Sequence, residues 1–141
     1  MNQDPKQQTP VQLPLVNEAK DWFTGWTWSP DGKFIAGTVT GASGNEVRTQ
    51  PGIVFYRLDT QRYERINDIG TRPEWLSDSR HLIIVYQNEI WLLDSQTRKA
   101  QRIISQLPTV LSSAGISPDD RRIYYTVTDH QADIYLLSLD K

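Results

Sequence analysis

Proton transfer near neutral pH could fall to only two side chains of this chain, His81 and His130. His81 opens an apolar run and reads as packed or solvent-edge rather than catalytic. His130 lies in Thr128-Asp129-His130-Gln131, which reads as a hairpin loop. No Gly-x-Ser-x-Gly elbow accompanies either one. Gly41-Ala42-Ser43-Gly44-Asn45 resembles such an elbow only superficially and reads as a flexible loop. Walker A, His-Arg-Asp and Asp-Phe-Gly patterns are all missing from the sequence, so kinase chemistry cannot reside here. The absence of cysteine excludes disulfides and thiolate chemistry. Asp31, Asp78 and Asp119 occupy equivalent places in a repeated turn. They read as turn acceptors lying far apart, not as metal ligands, and Asp119-Asp120 lacks the ligand count that Ca²⁺ needs. The expectation is a non-enzyme with no catalytic residue, no cofactor and no metal site.

Residues suited to binding are easier to find. Trp22, Trp26 and Trp28 fall within seven positions, and strand alternation would put Trp26 and Trp28 on one face. Packing against a neighbouring element is the favoured reading. The other is an aromatic contact surface of the kind binding sites enrich. The Gly/Ser/Asn-rich insert at residues 40–51 reads as a long loop on a rigid scaffold, where partner contacts often sit. Its candidate contact residues are Ser43, Asn45, Glu46 and Arg48. Arg62, Arg65, Arg98, Lys99 and Arg102 fall on predicted outer strands, where charge discourages edge-to-edge pairing. A basic recognition patch is the less favoured account of them.

The elements that position these residues follow from a repeat. Trp28, Trp75 and Ile116 align, 47 and 41 residues apart. Each is followed by a turn: Ser29-Pro30-Asp31-Gly32-Lys33, Leu76-Ser77-Asp78-Ser79-Arg80 and Ser117-Pro118-Asp119-Asp120-Arg121. Proline presets φ in such a turn, aspartate accepts local backbone hydrogen bonds, and glycine supplies positive φ. An apolar run follows each turn, then a second run beginning at Ile53, Ile90 or Ile134. Between the two runs of the second copy, Tyr86-Gln87-Asn88-Glu89 leaves room only for a short hairpin. The copies differ in length mainly at the 40–51 insert, as a structural repeat predicts. The runs 82–86 and 90–93 do not alternate with polar residues, so those strands are covered on both faces. A sheet covered on both faces and recurring every 40-odd residues is a propeller blade.

Trp-Ser-Pro-Asp-Gly-Lys followed by Phe-Ile-Ala, with Ile-Trp-Leu-Leu-Asp downstream, resembles the WD40-like repeat of TolB-type β-propellers. That repeat also occurs in propeller domains of prolyl oligopeptidase-type peptidases and bacterial serine/threonine kinases. The expected fold is all-β: three consecutive four-stranded antiparallel blades, the third lacking its outer strand, in a partial β-propeller. The expected organisation is a flexible tail at 1–20 and a propeller at 21–141, with blades near 21–68, 69–108 and 109–141. Segment 11–16 reads as linker in preference to edge strand, but it is the one candidate for the missing outer strand. The resemblance implies a non-catalytic scaffold or protein-binding module. The alternative is the accessory propeller of a kinase or peptidase. Expected partners are a protein, the remaining blades of a longer chain, or further copies completing a ring. A net charge of −2 leaves no nucleic-acid footprint, and no apolar run reaches the ~20 residues of a membrane span. The polar first ten residues show no signal peptide, and the resemblance permits a periplasmic or a cytoplasmic location.

Overall fold

The computed structural model describes residues 9–17, 21–43, 46–105, 110–128 and 132–138. Among them every regular element is a strand. The first sheet orders β1 (Trp22–Trp28), β2 (Phe34–Ser43), β3 (Glu46–Arg57) and β4 (Arg62–Arg65). The second repeats the pattern with β5 (Thr71–Trp75), β6 (His81–Tyr86), β7 (Glu89–Asp94) and β8 (Ala100–Ile104). The third holds β9 (Val110–Ile116), β10 (Arg122–Thr128) and β11 (Ala132–Ser138), with no fourth strand among the described residues. All pairings are antiparallel. The sheets stack as three blades with β1, β5 and β9 neighbouring one another along the inner side, and the ring is not closed.

The second sheet is buried from both sides, which explains its unbroken apolar runs. Toward the first sheet, Trp75, Leu82, Ile84 and Leu93 meet Ala36, Ile53 and Phe55. Trp75 is 5% exposed, its ring 5.0 Å from that of Phe55 and 6.3 Å from that of Phe34. Toward the third sheet, Ile83, Ile90 and Leu92 meet Leu111, Ile123 and Ile116. Alternate residues of one strand thus serve two different cores.

The repeated turns share one hydrogen-bond pattern. Asp31 Oδ1 accepts from Ser29 Oγ at 2.7 Å and from the Lys33 N–H at 3.1 Å. Asp119 Oδ1 accepts from Ser117 Oγ at 2.5 Å and from the Arg121 N–H at 3.2 Å. Asp78 Oδ1 accepts from the N–H groups of Arg80 and His81, both at 2.9 Å. The turn-acceptor reading of these aspartates therefore holds. The turns themselves are not far apart, as the sequence suggested, because neighbouring blades bring them into direct contact. The Asp31 N–H donates to Ser79 Oγ at 3.0 Å, and the Ser77 N–H donates to the Asp120 carboxylate at 3.0 Å.

The bonding residues Ser79 and Asp120 stand where the first copy has Gly32. All three adopt positive φ, at 55°, 58° and 73°. Only glycine does so without steric cost. The same coincidence recurs at Asn88, in the Gln87-Asn88 turn between β6 and β7, with φ of 49° and 64°. Asn88 Oδ1 accepts from the Leu111 N–H of the third sheet at 2.5 Å. Arg98, at φ 61°, donates to Glu64 of the first sheet at 2.5 Å.

One expectation is corrected here. The insert at 40–51 is not a flexible loop. Residues 40–43 and 46–51 are strand, pairing Thr40 with Thr49, Gly41 with Arg48, Ala42 with Val47 and Ser43 with Glu46. The extra residues lengthen β2 and β3 instead of leaving the sheet, and register shifts near Gly37 and Val39 accommodate them. Within the tail, residues 11–16 join no sheet, in keeping with the preferred linker reading. Pro14 instead accepts a 2.7 Å hydrogen bond from Tyr63 Oη of β4.

The turn contacts carry a test. Asp120→Ala removes the link to Ser77 while keeping a side chain at positive φ. It is expected to destabilise by about 1–2 kcal/mol in urea unfolding. Asp120→Gly loses the same link but relieves the backbone, so its change is expected to stay within about 1 kcal/mol.

Candidate functional site

The inner strands carry an exposed aromatic with a cation beside it and, two residues further along β5, a half-buried acid. β1 pairs Gly25 with Gly37 and Thr27 with Ala36, which leaves Trp26 as the extra residue of a bulge. The bulge breaks the alternation expected of Trp26 and Trp28. Trp26 Nε1 donates to Thr38 Oγ1 at 3.2 Å, and its ring lies 5.9 Å from the Arg72 guanidinium of the second sheet. Trp28 instead pairs with Ile35, which pairs with Tyr56 on the face turned away from the second sheet. The two tryptophans therefore look to different sides. Neither is packed as Trp75 is: Trp26 is 49% and Trp28 56% exposed.

Two residues after Arg72, at the turn end of β5, Glu74 borders an open cleft of about 300 Å³. Trp75, Ile116, Pro30 and Asp120 also line it. Burial alone pushes the Glu74 carboxyl above its ordinary value, with no cation or hydrogen bond offsetting it. The buried Trp75 indole N–H has no partner among the described residues. The cleft thus holds an acid whose environment has shifted its titration, a common property of binding sites. Arg72 and Glu74 were missed in the sequence. A signal existed, since aligned positions in the other copies are Gly25 and Thr27, or Ser113 and Gly115, all uncharged.

The hairpin formed by the long ends of β2 and β3 leaves from the opposite end of the first sheet. Ile35 sits beside the turn and Ser43 near the hairpin tip. At ~3.3 Å per residue they are about 26 Å apart. Ser43 and Glu46 face each other in the ladder, and Arg48 lies exposed opposite Gly41. Asn45 falls outside the described residues, as does His130. The sequence-predicted contact residues are consequently not one cluster. Trp28 marks the turn end, the hairpin marks the other, and Trp26 lies between.

His81 belongs to a separate structural network. Its Nδ1 lies 2.6 Å from Asp78, while Arg80 donates to Asp94 at 2.6 and 3.1 Å. The Arg80 hydrogen bonds hold the Asp94 carboxyl far below the usual range. These residues tie the start of β6 to its turn and to the end of β7. No group of three or more His, Cys, Asp and Glu side chains fit to hold a metal occurs among the described residues. No helix among them is long and apolar enough to cross a membrane.

No family model matches the sequence, and no curated protein matches it either. Solved structures do. TolB from Acinetobacter baumannii aligns at 21% identity and a TM-score of 0.65, covering 87% of this chain and 31% of its own. Oligogalacturonate lyase from Vibrio parahaemolyticus aligns at 13% identity and 0.65, covering 97% and 40%. The β-propeller domain of the trilobed protease from Pyrococcus furiosus, described as having an open velcro topology, aligns at 16% and 0.57, covering 84% and 39%. The chain spans less than half the length of each of these three. The TolB-like propeller fold read from the repeat is therefore the fold the structure has. One fold shared with a lyase and a protease domain fixes architecture and leaves chemistry open.

Glu74 provides the test of the cleft. Its folded-state pKa is raised, so its charged form is disfavoured by folding. The cost is absent below the ordinary glutamate value of about 4.3 and grows as pH rises above it. Glu74→Gln is expected to raise the melting temperature at pH 7, and the difference should vanish near pH 4. An equal effect at both pH values would remove the acid from the account.

Proposed function

We propose that this chain is a non-catalytic propeller module that binds a protein partner along the first sheet, from Trp26 and Arg72 to the projecting hairpin. The observation that carries this reading is the Trp26–Arg72 pair. Tryptophan and arginine are the side chains most enriched among residues that dominate binding energy. Here a guanidinium lies over a half-exposed indole on two rigid inner strands. The arrangement offers a preordered aromatic and a fixed positive charge, which suits a partner segment with an apolar side chain beside an acidic one. The hairpin supports the same reading. It extends the sheet beyond Trp22, whose partner in the ladder is Thr40, and so carries backbone past the last pairing of β1.

A second reading makes the chain the accessory propeller of a longer peptidase or kinase. The protease propeller among its structural neighbours favours that alternative. A hydrolase or kinase domain encoded in frame beside this sequence would support it.

The binding reading is tested by chemical cross-linking in a bacterial lysate, with three proteins compared. The unaltered chain should capture a defined protein. Trp26→Ala should weaken capture at least about tenfold, as expected of a residue worth 1.4 kcal/mol or more. Joining Gly41 to Arg48 through Asn-Gly should also weaken capture while shifting the thermal melt little, because residues 42–47 lie beyond the pairing partners of β1. Capture unaffected by either change would refute the proposed surface.

A further inference from the structure

Among the described residues the third sheet is the last of the stack, and no other strand covers its outer apolar face. Ile134 is 82% and Leu136 58% exposed, and Tyr124 and Val110 are also open. The positions of these residues identify what the face is built for. Tyr124 pairs with Leu136 as Ile83 pairs with Leu92 and as Ala36 pairs with Phe55. In the first sheet Ala36, Ile53 and Phe55 grip the second sheet, and in the second sheet Ile83, Ile90 and Leu92 grip the third. Tyr124, Ile134 and Leu136 are the same three positions, so this face continues an interface already made twice within the chain.

The opposite end of the stack carries the complementary face. A receiving sheet offers Trp75, Leu82 and Leu93 in successive pairing, or Ile116, Ile123 and Leu137. The first sheet places Trp28, Ile35 and Tyr56 in that arrangement, with no sheet among the described residues against them; Trp28 is exposed, while Tyr56 is already covered. Trp28 is therefore the counterpart of the buried Trp75. On the outer part of this same face, Tyr56 lies against Tyr63, Tyr63 against Phe23, and Tyr63 holds Pro14.

Among the described residues no strand pairs with the outer edge of β11. From Ile134 to Ser138 that strand is without charge. The aligned stretches of the paired third strands, Ile53–Tyr56 of β3 and Ile90–Leu93 of β7, are likewise without charge, whereas the outer strand β4 carries Arg62, Glu64 and Arg65 and β8 carries Arg102. Segment 11–16 has the pattern of an outermost strand. Val11, Leu13 and Leu15 alternate, and Pro10 and Pro14 share the other parity, where a missing N–H would face solvent. Val11 and Leu15 are exposed in the single chain.

We propose that two copies of this chain close head to tail into a six-bladed ring. The Tyr124–Ile134–Leu136 face of each packs on the Trp28–Ile35–Tyr56 face of the other. Residues 11–16, already held on that second face by Tyr63, then lie beside the partner's β11 and pair with it as its fourth strand. Two copies of three sheets give a ring within the usual range of four to eight blades. The contact is heterologous and closes on itself after two copies, so it need not run on as a fibre. The proposal does not depend on the protein-partner reading above, since it uses neither Trp26 nor the hairpin.

Sedimentation equilibrium of the whole chain at micromolar concentration should give about twice the 16.2 kDa of one chain. Ile134→Arg should weaken the dimer at least about a hundredfold, because an unpaired charge would be buried in an apolar contact. Circular dichroism should show its strands retained, and Leu136→Glu serves as a second probe should folding suffer. Leu13→Pro should weaken the dimer, whereas Gln12→Pro, of the outward parity, should not. A monomeric unaltered chain, a concentration-dependent polymer, or a dimer indifferent to both Ile134→Arg and Leu136→Glu would overturn the ring. Equal behaviour of Leu13→Pro and Gln12→Pro would overturn the strand exchange.

Discussion

A β-sheet apolar on both faces has no stable surface to show to water, and the arrangement of this chain follows from that constraint. The second sheet satisfies it completely. Leu82, Ile84 and Leu93 go to one neighbour, and Ile83, Ile90 and Leu92 go to the other. At about 25 cal/mol per Å², such burial is the main favourable term available to a domain of this size. The first and third sheets satisfy it on one side each. Their outward faces are treated differently: aromatic rings and residue Pro14 cover much of the first, while the third is left open at Ile134 and Leu136.

The sheets are joined by more than burial. Among the described residues seven other than glycine adopt positive φ, and five of them bond or stack onto the neighbouring sheet: Arg72, Ser79, Asn88, Arg98 and Asp120. Glycine would suit the backbone at each position, but glycine has no side chain to reach across. The local backbone cost is tolerated because a contact between blades depends on it. This also accounts for the loss of the turn glycine in the second and third copies. Ser79 and Asp120 depart from the Ser-Pro-Asp-Gly pattern at the one turn position from which a side chain meets the preceding blade.

Most of the fold was legible in the sequence because its signals are local and repeated. The turn aspartates, the apolar runs and the missing fourth strand of the third sheet could all be read from spacing. What escaped was set by pairing across strands. The 40–51 insert looks like a loop by composition, yet Gly41 and Arg48 can pair because the preceding strands already hold them in register. The separation of Trp26 from Trp28 depends on a bulge, and one extra residue reverses a strand's facing from that point on. Arg72 and Glu74 carry a faint signal as charges in an inner strand. Their neighbours, the Trp26 ring and the cleft, come from different parts of the chain and exist only once the blades stack.

The side-chain links at positive-φ turns have a thermodynamic corollary. If the neighbouring blade leaves, Ser79, Asn88 and Asp120 keep their backbone cost and lose the bond that offsets it. An excised blade would therefore be poorer than its own strand ladder suggests, and a blade in place is better than the sum of its hairpins. In the language of repeat arrays, the intrinsic term of each unit is weakened while the nearest-neighbour term is strengthened. That ratio makes unfolding cooperative: the stack should open as one unit and not fray blade by blade from its ends.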